Sequence, residues 1–379
     1  MLVDRHEQEL RTSNRIVRDD TLETRLEEIT CAIVGSLCEQ LRVYVIRVPG
    51  FNAFMLPNGA MFIQTGLLLR IGDDSELATV VAHEASHFAR KHSVERIRRW
   101  HRTASGLAIV NGLLSAAGTV ATVAANSYEA AAQARNLSDT ALGMLEAAGV
   151  IAVYQLVAYS REQEREADLD GLNWMIAHGI DPRGAPRIWQ KIVDEQKAGG
   201  RHSGFSLLAT NPTPRARLNY LSEAIEIRGS TEDYKIADPS SQEESATTLL
   251  SLVDPYRREW IVDEMEAQHP GQFEAIARAQ EGFQVPVGFT SYLIGKAWAS
   301  HARELRGRQQ KRAIGAAASA FERGASAEPS MQPEGFRDWA RVSLQRGDTE
   351  SAKENFLRYL SLVPTAWDAD YVRREVEGL

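Results

Sequence analysis

The chain has 379 residues, 44% of them hydrophobic, with 51 acidic against 43 basic residues and a formal net charge of -8. That length exceeds one ordinary domain, so two or three compact units are expected. The acidic balance offers no field for a phosphate backbone, which argues against nucleic acid as a partner despite local basic runs such as "ERIRRWHR" at 95–102.

The first twenty residues contain no apolar h-region, so no signal peptide is expected in the chain as it stands, and targeting sequence leaves the compartment open. From 19 to 41, Leu22, Leu26, Ile29, Ile33, Leu37 and Leu41 recur at spacings of three and four, which predicts an amphipathic helix. Cys31 and Cys38 sit seven apart within it. In a continuous helix seven residues rise about 10 Å, too far for a disulfide. A bridge therefore requires the helix to end or bend between them, as Gly35 permits; two free thiols are the alternative. "RVYVIRV" at 42–48 and "AMFIQTG" at 60–66 then change to β-branched and aromatic residues on either side of the turn signal "LPNG", predicting two strands.

"DDSELATVVAHEASHFARKH" begins the next helix with Asp73 three before Glu76, a capping-box spacing in which each side chain can take an orphan amide. Within it, His83 and His87 are four apart. On a helix that separation is about 40° and one turn, so both imidazoles face one point, the geometry for two ligands on one zinc ion. Glu84 stands beside the first ligand and is the candidate general base for a metal-held water. The surrounding Val80, Val81, Ala82, Phe88 and Ala89 bury this helix, and buried imidazoles need partners that a metal can supply.

A catalytic zinc takes a third protein ligand from another element. "YSREQEREADLDG" at 159–171 places Glu164 and Asp168 on one face of a predicted helix, although salt bridges to Arg161 and Arg165 would explain the same charges without a metal. Between the two helices, residues 103–128 carry no charge. Their Gly, Ala, Ser and Thr content favours a buried small-residue helix or a flap over a membrane span. Residues 229–246 are polar with Pro and Ser and read as a linker. Beyond it, Ala317, Phe321 and Pro329 recur 35 residues later as Ala352, Phe356 and Pro364, with Gly347 at a turn. That period suits helix–turn–helix repeats; a plain helical bundle is the alternative.

"NAFMLPNGAMFIQTGLL", "SELATVVAHEASHFARKH" and "SREQEREADLDGL", in this order, resemble metallopeptidase family 48, the group of HtpX, Oma and CAAX prenyl proteases, and most nearly its soluble periplasmic BepA-type branch. The resemblance covers residues 1 to about 228, and more loosely 285 to 370. It implies a mainly α (α+β) chain, with a zincin-like domain holding a small sheet over 1–228 and tetratricopeptide-like repeats over 247–379. By position it implies one Zn2+, with His83, His87 and Glu164 rather than Glu166 as ligands and Glu84 as the catalytic glutamate. Asp168 matches the acidic residue such enzymes place near the ligands, where it would orient an imidazole. His92 matches a histidine with a structural role. Arg217 matches an arginine that would stabilise an oxyanion or pair with an acidic neighbour. Asn211 stands where the branch often has a histidine able to approach the zinc and hold the enzyme latent; asparagine is a poor zinc ligand, so the resemblance does not extend to that kind of self-inhibition. The expected activity is a zinc endopeptidase acting on protein substrates, misfolded or unassembled envelope proteins, with Ala60, Met61, Phe62 and Ile63 as the edge strand that receives the substrate. The rival is a repeat-based binding module with a latent metal site and a protein partner on the repeats. An envelope location, periplasmic or membrane-associated, follows from the resemblance, with the cytoplasm as the alternative.

Overall fold

The computed structural model describes residues 2–92, 94–95, 159–200, 212–229 and 249–379. The uncharged stretch 103–128, Asn211 and residues 230–246 of the expected linker lie outside them. The chain divides into two compact units, Met1–Ile192 with Phe205–Val253, and Val193–Gly204 with Asp254–Leu379.

The first unit begins with α1 (Leu2–Thr12) and α2 (Asp20–Val34). Asp19 caps α2 by accepting from the amides of Thr21 and Leu22, and Leu22, Leu26, Ile29 and Ile33 form its buried stripe. The helix predicted to run to 41 stops at Val34, because Gly35 takes φ 56° and the chain tightens into a 3₁₀ turn over Gly35–Gln40. That break brings the Cys31 and Cys38 Cα atoms to 4.8 Å, and the two form a disulfide.

Three strands follow: β1 (Arg42–Ile46), β2 (Ala53–Met55) and β3 (Ala60–Gln64), in the order β1-β3-β2. β1 runs parallel to β3 with Tyr44 opposite Phe62, and β2 runs antiparallel with Phe54 opposite Phe62. This corrects the expectation that Ala60, Met61, Phe62 and Ile63 form a substrate-receiving edge. All five residues of β3 are buried and its amides and carbonyls are shared between neighbours on both sides, so no backbone group is left to pair with another chain. Sequence pattern missed β2, which is only three residues long. The outer side of β1 is partly closed by residues 15–17, through the Ile16–Ile46 bridge and the Val17 amide donating to the Val45 carbonyl at 3.0 Å. Among the described strands, β2 is the open edge, and it packs against the histidine helix.

After the short α3 (Thr65–Leu68) come α4 (Asp74–Ala89), α5 (Arg161–Ala177), α6 (Gly184–Gly199) and α7 (Pro214–Gly229). Asp73 caps α4 by accepting from the Glu76 amide. Glu76 does not close a capping box: its carboxylate instead takes the Gly72 amide at 2.7 Å and the Lys191 ammonium at 2.6 Å. The reciprocal box occurs at α5, between Ser160 and Gln163. α4 and α5 pack closely because Gly171 lies against α4, where a Cβ would come within 3.1 Å of the His83 amide nitrogen and 3.2 Å of Ala82.

The second unit holds α8 (Arg257–Ala267), α9 (Pro270–Gln280), α10 (Val287–Ala302), α11 (Gly307–Ala325), α12 (Pro333–Arg346), α13 (Thr349–Leu362) and α14 (Ala369–Glu377). Its core gathers Phe273, Leu293, Ala317, Phe321, Phe336, Phe356 and Tyr359. The repeated Ala317 and Phe321 lie on α11, and Ala352 and Phe356 on α13, all buried. Pro329 and Pro364 fall in the turns after those helices. Among the described residues the chain is thus mainly α with one small sheet, and no helix is long and apolar enough to cross a membrane.

Candidate metal centre

α4 turns His83 and His87 to one side, and α5 brings Glu164 to meet them from its first turn. The Nε2 atoms of the two histidines are 3.2 Å apart. Glu164 places Oε2 at 3.5 Å from His83 Nε2 and Oε1 at 3.9 Å from His87 Nε2. Two ligands about 2.0–2.1 Å from a tetrahedral ion stand about 3.3–3.4 Å apart, so these spacings fit a single ion between them. Two imidazoles and a carboxylate are a donor set suited to zinc and other first-row divalent metals. His87 is 1% and Glu164 8% exposed, so the carboxylate and the ring edges face each other out of bulk water. Glu84 follows His83 on the same helix and is half-buried.

The rings are held from behind. Asp168, one turn along α5 from Glu164, accepts from His83 Nδ1 at 2.8 Å and leaves Nε2 facing the other donors. Asp168 is in turn gripped by Arg217 of α7, whose Nε donates to Oδ2 at 2.7 Å and whose Nη2 donates to Oδ1, and by the Tyr220 hydroxyl. Of the two roles read for Arg217, this geometry realises the acidic pairing; Nη2 also lies 3.5 Å from Glu164 Oε2. Arg217 stacks on the Trp189 ring with its guanidinium carbon 4.1 Å from the centroid. Burial presses Asp168 towards its protonated form, but the charges of Arg217 and His83 outweigh it and hold the carboxyl well below its usual range. For His83, burial and Arg217 favour the neutral ring, while Asp168 and Glu164 prevail and raise its pKa. Tyr220 is raised by burial and by the Asp168 carboxylate, so it stays a neutral donor.

On the other ligand, Tyr159 stacks on His87 with centroids 3.8 Å apart and planes 11° apart, and His92 Nδ1 lies 2.9 Å from His87 Nδ1. Ser86 of α4 and Arg90, the residue that caps its end, both hold Asp170 of α5, the Arg90 Nε at 2.5 Å, which pins the two helices beside the site.

The sequence motifs thus converge: His83, His87, Glu164, Asp168 and Arg217 meet, whereas Glu166, 50% exposed, faces Arg90 and His92. Tyr220, Trp189 and Tyr159 were not anticipated. Tyr220 had a readable signal, three residues after Arg217 and so on the same face of α7. Trp189 and Tyr159 had none, since aromatic residues in a helix and a loop carry no mark of what they will cover.

The relatives are peptidases. The chain is 29% identical to "Mitochondrial metalloendopeptidase OMA1" of Schizosaccharomyces pombe, over 51% of this chain and 49% of that protein. It is 24% identical to "Beta-barrel assembly-enhancing protease" of Escherichia coli K12, over 73% of this chain and 55% of that protein. To "Mitochondrial metalloendopeptidase OMA1" of Arabidopsis thaliana it is 31% identical, over 48% of this chain and 31% of that protein. The chain therefore spans about half the length of the first two relatives. The family model "Peptidase family M48" matches residues 17–225, more than half of the chain and the whole span from β1 to the Asp168–Arg217 pair, and with that match the chain belongs to peptidase family M48.

Proposed function

We propose that this chain is a zinc-dependent endopeptidase that hydrolyses peptide bonds of protein substrates. The observation that carries this reading is the meeting of His83, His87 and Glu164 at donor spacings suited to one ion, on a helix that also carries Glu84. Bound there, one zinc ion would polarise the scissile carbonyl and lower the pKa of a water beside it. Glu84 takes the proton from that water as it attacks the carbonyl carbon and delivers it to the amine nitrogen as the C–N bond breaks. Asp168 keeps the His83 hydrogen on Nδ1, and Arg217 balances the charge that Asp168 brings into the interior.

An extended substrate pairs with the outer edge of β2, which lies against α4. Beside that strand the enclosed Asn52 Nδ2 has no acceptor among the described residues. Strand pairing of this kind selects unfolded segments. With the relatives' names it favours misfolded or unassembled envelope proteins as substrates. The family match over 17–225 supports residues 1–228 as the peptidase domain, and the 35-residue recurrence supports 247–379 as tetratricopeptide-like repeats that hold the protein partner. The Cys31–Cys38 disulfide supports an oxidising compartment such as the cell envelope.

Glu84→Gln is expected to retain about one zinc per chain while casein cleavage falls by about 10²–10⁴-fold. Glu164→Ala is expected to lose both. Undiminished cleavage by zinc-replete Glu84→Gln protein would falsify the mechanism, and full zinc content in Glu164→Ala would require another third ligand.

A further inference from the structure

α4 ends at Ala89, and two residues later Lys91 adopts the left-handed conformation at φ 59°. The chain thereby doubles back and sets His92, 4% exposed, against the ring of His87. Their Nδ1 atoms, 2.9 Å apart, can share only one hydrogen, so one donates and the other accepts. His87 Nε2 faces His83 and Glu164, and a ligand must present a lone pair there. The neutral His87 ring then carries its hydrogen on Nδ1 and is the donor. His92 must accept at Nδ1 and keep its own hydrogen on Nε2, which lies 3.5 Å from Glu166 Oε2. Stacking on Tyr159 fixes the plane of the His87 ring but would tolerate a half-turn that exchanges its nitrogens with carbons. The contact with His92 removes that freedom.

We propose that His92 is a positioning residue of the metal centre: its Nδ1 accepts the His87 Nδ1 hydrogen and fixes both tautomer and ring direction of that ligand, while Glu166 holds the far side of the relay. It does for His87, through a neutral ring, what Asp168 does for His83 through a carboxylate. The proposal rests on the reading of His83, His87 and Glu164 as zinc ligands.

The test compares His92→Leu, which fills the space without an acceptor, with His92→Asn, whose Oδ1 falls where Nδ1 stood. The probe is Zn2+ alone, measured by competition with a chelator of known affinity, and melting of the metal-free proteins reports folding separately. His92→Leu is expected to weaken zinc binding about 10–100-fold, and His92→Asn to restore it to within a few-fold of wild type. Wild-type affinity in His92→Leu overturns the positioning role. So does an equal loss in both variants, which would mark a packing role. Wild-type protein with no measurable zinc affinity overturns the ligand reading beneath it. Should His92→Leu fail to fold, ring nitrogen spectra of the zinc-loaded wild type decide: hydrogens on His87 Nδ1 and His92 Nε2 support the proposal, and a hydrogen on His92 Nδ1 overturns it.

Discussion

Two helix pairs, α4 with α5 in the first unit and α10 with α11 in the second, are packed closely and bury opposite kinds of surface. Between α10 and α11 lie Leu293, Ala297, Ala313, Ile314, Ala317 and Phe321, apolar side chains that need nothing but one another. Between α4 and α5 lie Ser86, His87, Glu164 and Asp168, which need hydrogens, charges or an ion to be buried at all. Burial of paired charges is weak evidence of stability, because desolvation consumes most of the attraction. The first pair therefore departs from the easy way of packing two helices, and departures of that kind concentrate at working sites.

The comparison is tested most severely by one truncation in each pair. Asp168→Ala leaves Arg217 buried without its main partner and is expected to cost about 3–5 kcal/mol of stability, with weakened zinc affinity as well. Phe321→Ala is expected to cost a similar ~3–5 kcal/mol by leaving a cavity, with zinc affinity unchanged in the folded protein. Denaturant unfolding and zinc competition on both variants separate the two outcomes. If Phe321→Ala weakened zinc as much as Asp168→Ala does, the division of labour between the pairs would be wrong.

Much of this was legible in the sequence, for a physical reason. The histidines of α4 are bound to one face by helical periodicity, and Glu164 and Asp168 are bound to one face of α5 in the same way, so spacing alone predicts what each helix presents. What spacing cannot supply is the neighbour of an element. The strand Ala60–Gln64 has the residues of a strand whether it lies at the centre or the edge, and only pairing with β1 and β2 on both sides decided against the edge. The helix expected to reach 41 ended at Gly35, because one glycine in a positive-φ turn outweighs a hydrophobic stripe that continues beyond it. Glu76 likewise had the spacing of a capping box, but Lys191, distant in sequence, drew its carboxylate elsewhere.

A smaller change sharpens the comparison by moving the helices without removing any polar group. Gly171→Ala introduces a methyl about 3.1–3.2 Å from the α4 backbone, so α5 must give way by a few tenths of an ångström. Overpacking of this kind costs about 1–3 kcal/mol. Glu164 shares α5 with Gly171, so zinc affinity is expected to fall several-fold while secondary structure by circular dichroism stays the same. Unchanged affinity would show that the ligand set tolerates a shift of its helix.

The smallest expected effect asks whether any buried carboxylate with an arginine marks a site. Glu7 of α1, 7% exposed, accepts from Arg42 at 2.8 and 2.9 Å, from Tyr44 at 3.0 Å and from Asn58 at 2.7 Å. No histidine joins this cluster among its described contacts, and its work is to tie α1 to the sheet. The Arg42 hydrogen bonds hold the Glu7 carboxyl below its ordinary 4.5, against the opposing pull of burial. A lowered folded pKa adds stability that is complete above the ordinary value and is lost as pH falls through the folded one. Glu7→Gln is therefore expected to cost about 1 kcal/mol at pH 7, a modest figure because Arg42 is 41% exposed. The gap between wild type and variant should shrink on acidification below 4.5, with zinc affinity and cleavage unaltered throughout. Melting curves from pH 7 to pH 3 measure it, and a gap that widened in acid would reverse the assigned sign. Loss of cleavage in this variant would mean that a buried carboxylate–arginine pair can serve the site without touching its ligands, and the contrast would then lie within the first unit as well as between the two.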